Sequence, residues 1–256
     1  MVVADLHVHT QNSDGSLTLG AIPDAAKAAG LSTVAVTDHD RLHPEIRAPV
    51  AELDGITVVH GIELRVEADD QRVDLLGYGV RRTEALSALV DRLQTDRKER
   101  GAAIIDRVEA ELGTELPVEP RAGLGRPHIA AAIEQVSDYS YGAAFEELIG
   151  DDGPCYVARD VPNFETGVSV LDAACGVVSL AHPHRYADTE AALSLCADLD
   201  AVERHYPYDR EVDHRPVERA IERYDLLVTG GTDAHGETLG VAGLDGRDYR
   251  TFRTAL

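Results

Sequence analysis

Basic residues are scarce in this sequence, and lysine is almost absent. The 256 residues include 46 Asp and Glu against 24 Lys and Arg, which gives a net charge of −22 at pH 7, and Lys27 and Lys98 are the only lysines. The overall field of such a protein repels duplex DNA. An acidic, lysine-poor composition favours adaptation to high salt, where the screening length falls to about 3 Å at 1 M. An ordinary acidic cytosolic protein is the alternative.

Disulfide frameworks and long apolar runs are also missing. Cys155, Cys175 and Cys196 are odd in number and form no CxxC pair, so a reducing compartment fits better than an oxidising one. No run of eighteen apolar residues is present, which argues against a membrane span. The N-terminus lacks the basic start of a signal peptide. The sequence therefore predicts a cytoplasmic protein that does not bind membranes.

Short β-rich runs alternate with helical stretches in the first part of the chain. We predict strands at 2–8, 33–37 and 56–60, helices at 18–29 and 44–53, and a hairpin of 62–67 with 72–78 that turns at Asp69-Asp70. Residues 84–150 are helical in character, which indicates an insertion at about 85–160. The strand pattern returns at 177–182, 199–205 and 226–233. This alternation predicts an α/β protein with a sheet or barrel and outer helices.

Histidines and acids follow the predicted strands. His7 and His9 are two residues apart on a strand, so both point to one face. Similar residues end other strands: Asp38, His39 and Asp40 in TDHD, Glu63 in GIE, His182 in SLAHPH, and Asp233 and His235 in GGTDAHG. Each segment alone has a structural explanation, such as turn chemistry for TDHD. Together they predict one cluster, because strand ends converge in α/β barrels and these ligands suit zinc, manganese or iron.

Five segments resemble the motifs of the PHP (polymerase and histidinol phosphatase) family: DLHVHTQNSDGSLTLGAI, VAVTDHD, HGIEL, SLAHPHRY and VTGGTDAHG. The resemblance runs over about residues 4–240. GRPHIAAAI and PCYVARDVP are similar to a branch of stand-alone, TrpH-like phosphoesterases. This resemblance implies a distorted (β/α)7 TIM-like barrel formed by one domain over 1–256, with a helical insertion and a trinuclear metal site.

The resemblance also implies a ligand set. His7, His9 and Asp233 would hold the first of two or three divalent ions (Mn, Zn or Fe), and Glu63 would bridge to the second. The remaining ligands would be His128 and His182 at the second ion, and Asp14, His39 and His235 at the third. Without the resemblance, His128 would be considered structural. Many relatives carry histidine where this chain has Asp74.

The implied activity is hydrolysis of phosphate esters of small nucleotides by a metal-activated hydroxide. The substrate would be a 3′,5′-bisphosphonucleotide or the 5′ end of a short RNA. Histidinol-phosphate phosphatase and a non-catalytic, metal-bound regulatory module are the alternatives. His205 is the candidate general acid, although it can equally be a packed histidine. Arg126 and Arg185 are candidate phosphate-binding residues, with surface ion pairing as the alternative.

Overall fold

The computed structural model describes residues 1–69 and 71–256 of the chain. Contacts divide it into one unit of Met1–Ala88 with Val161–Leu256 and a second unit of Leu89–Asp160. In the described ranges, none of the helices combines the length and apolar character needed to cross a membrane.

A mixed sheet frames the first unit. In the described part of the chain it has nine strands: β1 (Val2–Val8), β2 (Thr33–Val36), β3 (Val50–Leu53), β4 (Ile56–Ala68), β5 (Gln71–Tyr78), β6 (Val177–Leu180), β7 (Ala201–His205), β8 (Leu227–Gly230) and β9 (Leu244–Asp245). The order is β8-β7-β6-β5-β4-β2-β1-β9, and β3 pairs with β4. β1, β2 and β4 are parallel, as are β6, β7 and β8, whereas β5 is antiparallel to β4 and β6.

The two ends of this sheet approach each other. Ala234, which follows β8, forms a parallel bridge with Val8 at the end of β1. The N–H of His9 donates to the carbonyl of Ala234 at 3.0 Å, and the N–H of Ala234 donates to the carbonyl of His7 at 3.2 Å. The strands therefore curve into a nearly closed barrel. The predicted distorted α/β barrel is confirmed, with a sheet of mixed direction.

Helices accompany the sheet in sequence: α1 (Ile22–Ala28), α2 (Glu84–Leu112), α3 (Arg126–Val136), α4 (Tyr141–Ala143), α5 (Phe164–Asp172), α6 (Thr189–Ser194), α7 (Arg215–Tyr224) and α8 (Gly246–Arg253). Side-chain caps mark several starts. The Asn163 side chain accepts from the N–H of Thr166 at 2.9 Å, and the Asp188 side chain accepts from the N–H of Ala191 at 2.9 Å. These caps satisfy backbone donors that the first helical turn leaves unpaired.

The second unit has its own apolar core. Ile104 and Val108 of α2 pack in one cluster with Ile129 and Ile133 of α3. Buried residues recur at three- and four-residue spacing along both helices, which is the pattern of an amphipathic face.

The predicted helix at 44–53 is wrong, because β3 occupies its second half. Pro44 and Pro49 disfavour a helix, since proline lacks an N–H and restricts the residue before it. β3 instead forms a hairpin with β4 through Asp54-Gly55, where φ is 46° and 83°. Positive φ at both central residues is typical of an Asp-Gly hairpin turn. The predicted hairpin of 62–67 with 72–78 is confirmed as β4 with β5; Asp70 of its turn lies outside the described residues.

Candidate metal centre

The first unit brings most of the predicted ligands together, from the ends of several strands and, for Glu63, from within β4. Three groups of side chains place ligand atoms within 4.8 Å of one another. We name them the inner group (His7, His9, Glu63), the outer group (His9, Asp14, His39, His235) and the side group (Glu63, Asp74, His182). His9 joins the inner group to the outer one, and Glu63 joins the inner group to the side group. The three groups therefore form one continuous cluster.

The inner group is fully buried and has Asp233 beside it. His9 Nε2 lies 3.0 Å from Asp233 Oδ1 and 3.4 Å from Glu63 Oε2. His7 Nε2 lies 3.5 Å from both Glu63 Oε1 and Asp233 Oδ1. Two imidazoles and two carboxylates thus point at a common position. This is the set that the sequence assigned to the first ion, together with the bridging Glu63.

The outer group lies at the accessible edge of the cluster. His235 Nε2 is 3.4 Å and His39 Nε2 is 3.7 Å from Asp14 Oδ1. The rings of His39 and His235 each stack on the ring of His9 at 4.3 Å between centroids. The side chains of His39 and His235 are 24% and 40% exposed, while His9 is fully buried. The cluster therefore opens to solvent on the side of His39 and His235.

The side group contains a residue that the predicted ligand set did not include. His182 Nε2 lies 3.1 Å from Glu63 Oε1 and 3.7 Å from Asp74 Oδ2. Asp74 is buried, and its backbone N–H is directed at the Tyr186 hydroxyl, 2.8 Å away. Asp74 is thus the third candidate ligand of this group, with Glu63 and His182.

Unsatisfied buried atoms support a metal-binding role. Among the residues that the structure describes, His7 Nε2 is buried without a hydrogen-bond partner, although it faces two carboxylates. The Nδ1 atoms of His9 and His182 are also buried and unpaired, but it is the Nε2 atoms of these rings that face the carboxylates. Buried polar atoms in folded proteins are nearly always paired, so each exception needs an explanation. The two carboxylates that His7 Nε2 faces lie beyond hydrogen-bonding geometry. Nitrogen and oxygen donors that converge in this way fit divalent ions such as zinc, manganese or iron.

The electrostatics of the cluster keep its carboxylates ionised. Burial would raise the pKa of Glu63, but His39, His7 and the hydrogen bond from His182 hold that pKa well below its ordinary value. Burial likewise opposes charge on Asp233, and His7 and His9 hold its pKa low. Burial would lower the pKa of His7, but Glu203, Asp233 and Glu63 outweigh it and raise that pKa. The cluster therefore offers anionic oxygens to a cation at neutral pH.

The backbone at the strand ends is strained in the same region. Asp40, His182 and Asp233 have φ of 51°, 26° and 54°. Non-glycine residues rarely adopt positive φ, and such strain concentrates at functional sites. His182 and Asp233 are themselves members or neighbours of the groups above. The side chains of His182 and Asp233 are thus directed into the cluster by backbone conformations that non-glycine residues rarely adopt.

Asp38 holds the loop that leads to Asp14. Its carboxylate accepts from the N–H of Thr10 at 2.7 Å, from the Ser13 hydroxyl at 2.8 Å and from the Asn12 amide at 2.9 Å. These three bonds fix residues 10–13 against the end of β2. Asp14 is thereby presented to the outer group.

Glu203 is a functional candidate that sequence reasoning missed. It is fully buried on β7, with Oε1 3.0 Å from His7 Nδ1 and Oε2 accepting from the N–H of His182 at 2.7 Å. A carboxylate on the second ring nitrogen fixes the tautomer and orientation of a metal-binding histidine. The available signal was an acid that follows the apolar residues Ala201 and Val202 within a predicted strand. Glu203 is therefore a positioning residue for His7.

Replacing Glu203 with glutamine is expected to weaken metal binding by about 10- to 100-fold, because His7 loses its anionic partner. Isothermal titration with Mn²⁺ measures this change. Glu218→Gln is the matched control: Glu218 pairs with Arg204 outside the cluster, and its variant should bind Mn²⁺ as the unmodified protein does. Equal affinities for all three proteins would contradict the positioning role.

Arg185 lies at the cluster, in keeping with its predicted phosphate-binding role. Its Nη1 is 3.0 Å from Asp233 Oδ2, and the Tyr206 hydroxyl donates to the same oxygen at 2.9 Å. The Arg185 side chain is 54% exposed. A guanidinium with this exposure can meet an incoming anion at the rim of the cluster.

The structure does not bring His205 to the cluster. Its ring lies beside the Arg204 guanidinium, and Nε2 is 3.9 Å from Asp248 Oδ2. It lines a cavity with Val2 and Asp245, and the side chain of β7 that faces the ligands is Glu203. The acid role of His205 therefore stays a prediction that this geometry does not favour.

His128 and Arg126 belong to the second unit, at the start of α3. His128 Nδ1 accepts from the N–H of Gly125 at 3.1 Å. Arg126 Nη1 pairs with Asp151 Oδ1 at 2.6 Å, and its guanidinium lies 5.8 Å from the ring of Phe145. Their roles in metal and phosphate binding stay predictions.

Comparison with known proteins agrees with the cluster. The PHP domain family model matches residues 5–144, more than half of the chain. The chain belongs to the PHP domain family. The matched range includes His7, His9, Asp14, His39 and Glu63, whereas His182, Asp233 and His235 lie beyond it. In the structure, these three residues lie beside those of the matched range.

Two curated relatives and one solved structure are similar to this PHP protein. Phosphoribosyl 1,2-cyclic phosphate 1,2-diphosphodiesterase of Eggerthella lenta is 31% identical over 252 residues, covering 92% of this chain and 95% of the relative. The 3′,5′-nucleoside bisphosphate phosphatase of Chromobacterium violaceum is 27% identical over 203 residues, covering 73% and 68%. A structure from Bifidobacterium adolescentis, provisionally described as a metal-dependent phosphoesterase, superposes with a TM-score of 0.82 at 23% identity, covering 99% and 96%. The last match supports the fold.

Proposed function

We propose that this protein is a metal-dependent phosphoesterase that hydrolyses phosphate esters of small nucleotides. A 3′,5′-bisphosphonucleotide is the leading substrate, and the 5′ end of a short RNA is the related one. The observation that carries the proposal is the continuous cluster of three metal-capable groups joined through His9 and Glu63. A cluster that opens beside an arginine suits a phosphate group better than an uncharged substrate.

The inner and outer groups would hold divalent ions through the nitrogen and oxygen atoms described above. When bound, such ions lower the pKa of water and stabilise charge on phosphoryl oxygens. The scaffold contributes the geometry: Glu203 fixes His7, and Asp38 fixes the loop before Asp14. The identity of the ions is proposed as manganese, zinc or iron, which this mixture of ligands accepts.

Two residues at the rim of the cluster, Arg185 and Tyr206, would bind the phosphate group of the substrate. The Arg185 guanidinium would donate a charge-assisted hydrogen bond to a phosphate oxygen and orient the ester toward the cluster. Burial and the neighbouring Asp233 raise the pKa of Tyr206, so its hydroxyl keeps its proton at neutral pH. That proton, donated to Asp233 Oδ2 in the structure, would turn to a phosphate oxygen when the substrate binds. These local groups offset the repulsion that a net charge of −22 exerts on an anionic substrate.

The two curated relatives support a small phosphorylated substrate. Their names specify a cyclic phosphoribosyl compound and a nucleoside bisphosphate, and both place phosphate on a sugar. Histidinol phosphate is the alternative within the family, and a non-catalytic module is the alternative outside it. A cytoplasmic location and adaptation to high salt remain part of the proposal, and both rest on composition.

Phosphate release from a substrate panel tests the proposed function. The panel contains a 3′,5′-bisphosphonucleotide, 5′-phosphorylated short RNA, phosphoribosyl 1,2-cyclic phosphate and histidinol phosphate, with metal analysis of the same sample. We expect turnover of the nucleotide substrates, its loss after treatment with a chelator, and its return on addition of Mn²⁺. Turnover of histidinol phosphate alone, or activity that survives complete metal removal, would contradict the proposal.

A further inference from the structure

The side group contains an ion pair in addition to its three candidate ligands. Arg65 of β4 stands opposite Asp74 of β5 in the antiparallel register. Arg65 Nε donates to Asp74 Oδ1 at 2.8 Å, and Nη2 donates to Asp74 Oδ2 at 2.6 Å. Both oxygens of a buried carboxylate are thus engaged by one guanidinium in the two-pronged geometry that arginine forms best.

The oxygen that faces the cluster is one of the two that Arg65 already binds. Asp74 Oδ2 is the atom 3.7 Å from His182 Nε2, and it is also the acceptor for Arg65 Nη2. An ion coordinated by this oxygen would share it with a guanidinium. Two cations held by a single carboxylate oxygen repel each other strongly, particularly where burial limits screening.

Asp233 shows the opposite arrangement. Its Oδ1 faces His7 and His9 in the inner group, while its Oδ2 receives Arg185 and Tyr206. One oxygen is therefore directed to the ligands while the other meets the arginine. Neither oxygen of Asp74 is left for the ligands alone, because Arg65 binds both of them.

We propose that Arg65 acts as a built-in cation at the side group, so that the protein binds two divalent ions tightly, at the inner and outer groups, and a third only weakly. Within the side group, the guanidinium offsets one of the two negative charges of Glu63 and Asp74. The negative charge of neighbouring Glu63, like that of Asp74, stabilises the positive charge of the Arg65 guanidinium. This inference rests on the proposed metal-dependent function and assigns its ion count.

Metal stoichiometry tests the inference independently of catalysis. The full chain is freed of metal, titrated with Mn²⁺ by calorimetry, and analysed for bound metal after gel filtration. We expect two tight ions in the unmodified protein. Arg65→Gln should bind a third ion about 10- to 100-fold more tightly than the unmodified protein does, the range by which neighbours of metal ligands alter affinity.

Arg72→Gln is the matched control on the same hairpin. Arg72 approaches Glu67 at 4.0 Å, away from the cluster, and its variant should keep two tight ions. Asp74→Asn supplies a second test that does not depend on the folding of Arg65→Gln. It should also keep two tight ions, because Asp74 is not a ligand of either one. Circular dichroism verifies the fold of each variant.

Three results would overturn the inference. They are three equally tight ions in the unmodified protein, an unchanged ion count and affinity in a folded Arg65→Gln variant, and loss of one tight ion in Asp74→Asn. Failure of the unmodified protein to bind any Mn²⁺, Zn²⁺ or Fe²⁺ would instead refute the metal-dependent function on which the inference rests. The two failures are therefore distinguishable in one set of titrations.

Discussion

Replacing His9 with alanine is expected to reduce phosphoester hydrolysis by about a thousandfold or more. His9 belongs to both the inner and the outer group, and the rings of His39 and His235 each stack on its ring. Its loss therefore removes a ligand from two candidate ion positions at once. A catalytic metal supplies several kcal/mol of transition-state stabilisation, and about 1.4 kcal/mol corresponds to tenfold in rate. Asp233→Ala should have a similar effect, because Asp233 faces His7 and His9.

Initial rates with a 3′,5′-bisphosphonucleotide measure these losses, and metal analysis of the same samples shows whether ions are lost with activity. His214→Ala is the matched control, since His214 is exposed and precedes α7 outside the cluster. It should retain full activity and metal content. Undiminished hydrolysis in both His9→Ala and Asp233→Ala would refute the metal mechanism, provided that both variants melt as cooperatively as the unmodified protein.

Local patterns made much of this site predictable from the sequence. The two-residue spacing of His7 and His9 is a property of one strand, so it needs no knowledge of the partners. The convergence of His182 and Asp233 follows from a general rule, that strand ends of such barrels meet on one face. Glu63 was expected at a strand end as well, but β4 continues to Ala68, so Glu63 reaches the cluster from within its strand. Both steps depend on strand assignments that apolar runs make clear. The barrel, which is confirmed, and the convergence of these side chains were therefore predictable from the same strand assignments.

Contacts between distant segments were not predictable in the same way. His7 and Glu203 are 196 positions apart, and only the order β8-β7-β6 with the return to β1 brings them into contact. Arg65 and Asp74 face each other because of the particular register of β4 with β5. A shift of one residue would turn both side chains to other neighbours. Such pairs depend on register and closure, which apolar periodicity alone does not specify.

His205 shows how one irregularity changes the outcome. Simple alternation along β7 would place Glu203 and His205 on the same face of the strand. The ladder with β8 is irregular here, since Glu203 pairs with Thr229 and His205 pairs with the next residue, Gly230. A bulge of this kind re-aims the side chain that follows it. Glu203 consequently faces His7, whereas His205 lies beside Asp248.

Replacing Gly231 with alanine should destabilise the protein and its metal centre together. A Cβ atom at this position would lie 2.3 Å from the backbone nitrogen and 2.4 Å from the Cβ of His7. Neither atom can move without shifting β1, so the strand that carries the first two ligands must be displaced. Overpacking of this kind costs about 1–3 kcal/mol. In a chain of this size each kcal/mol lowers the melting temperature by about 2–4 °C.

Thermal denaturation and Mn²⁺ titration of the same variant test both effects. Gly20→Ala is the matched control, because a Cβ at Gly20 meets no atom within 4 Å, and its melting temperature and metal affinity should stay unchanged. A Gly231→Ala variant with the melting temperature and Mn²⁺ affinity of the unmodified protein would contradict this prediction. It would show that β1 can shift without loss of stability or of metal binding. The expected result, lower stability with weaker metal binding, would follow from the placement of the His7 backbone directly against the loop that presents Asp233 and His235.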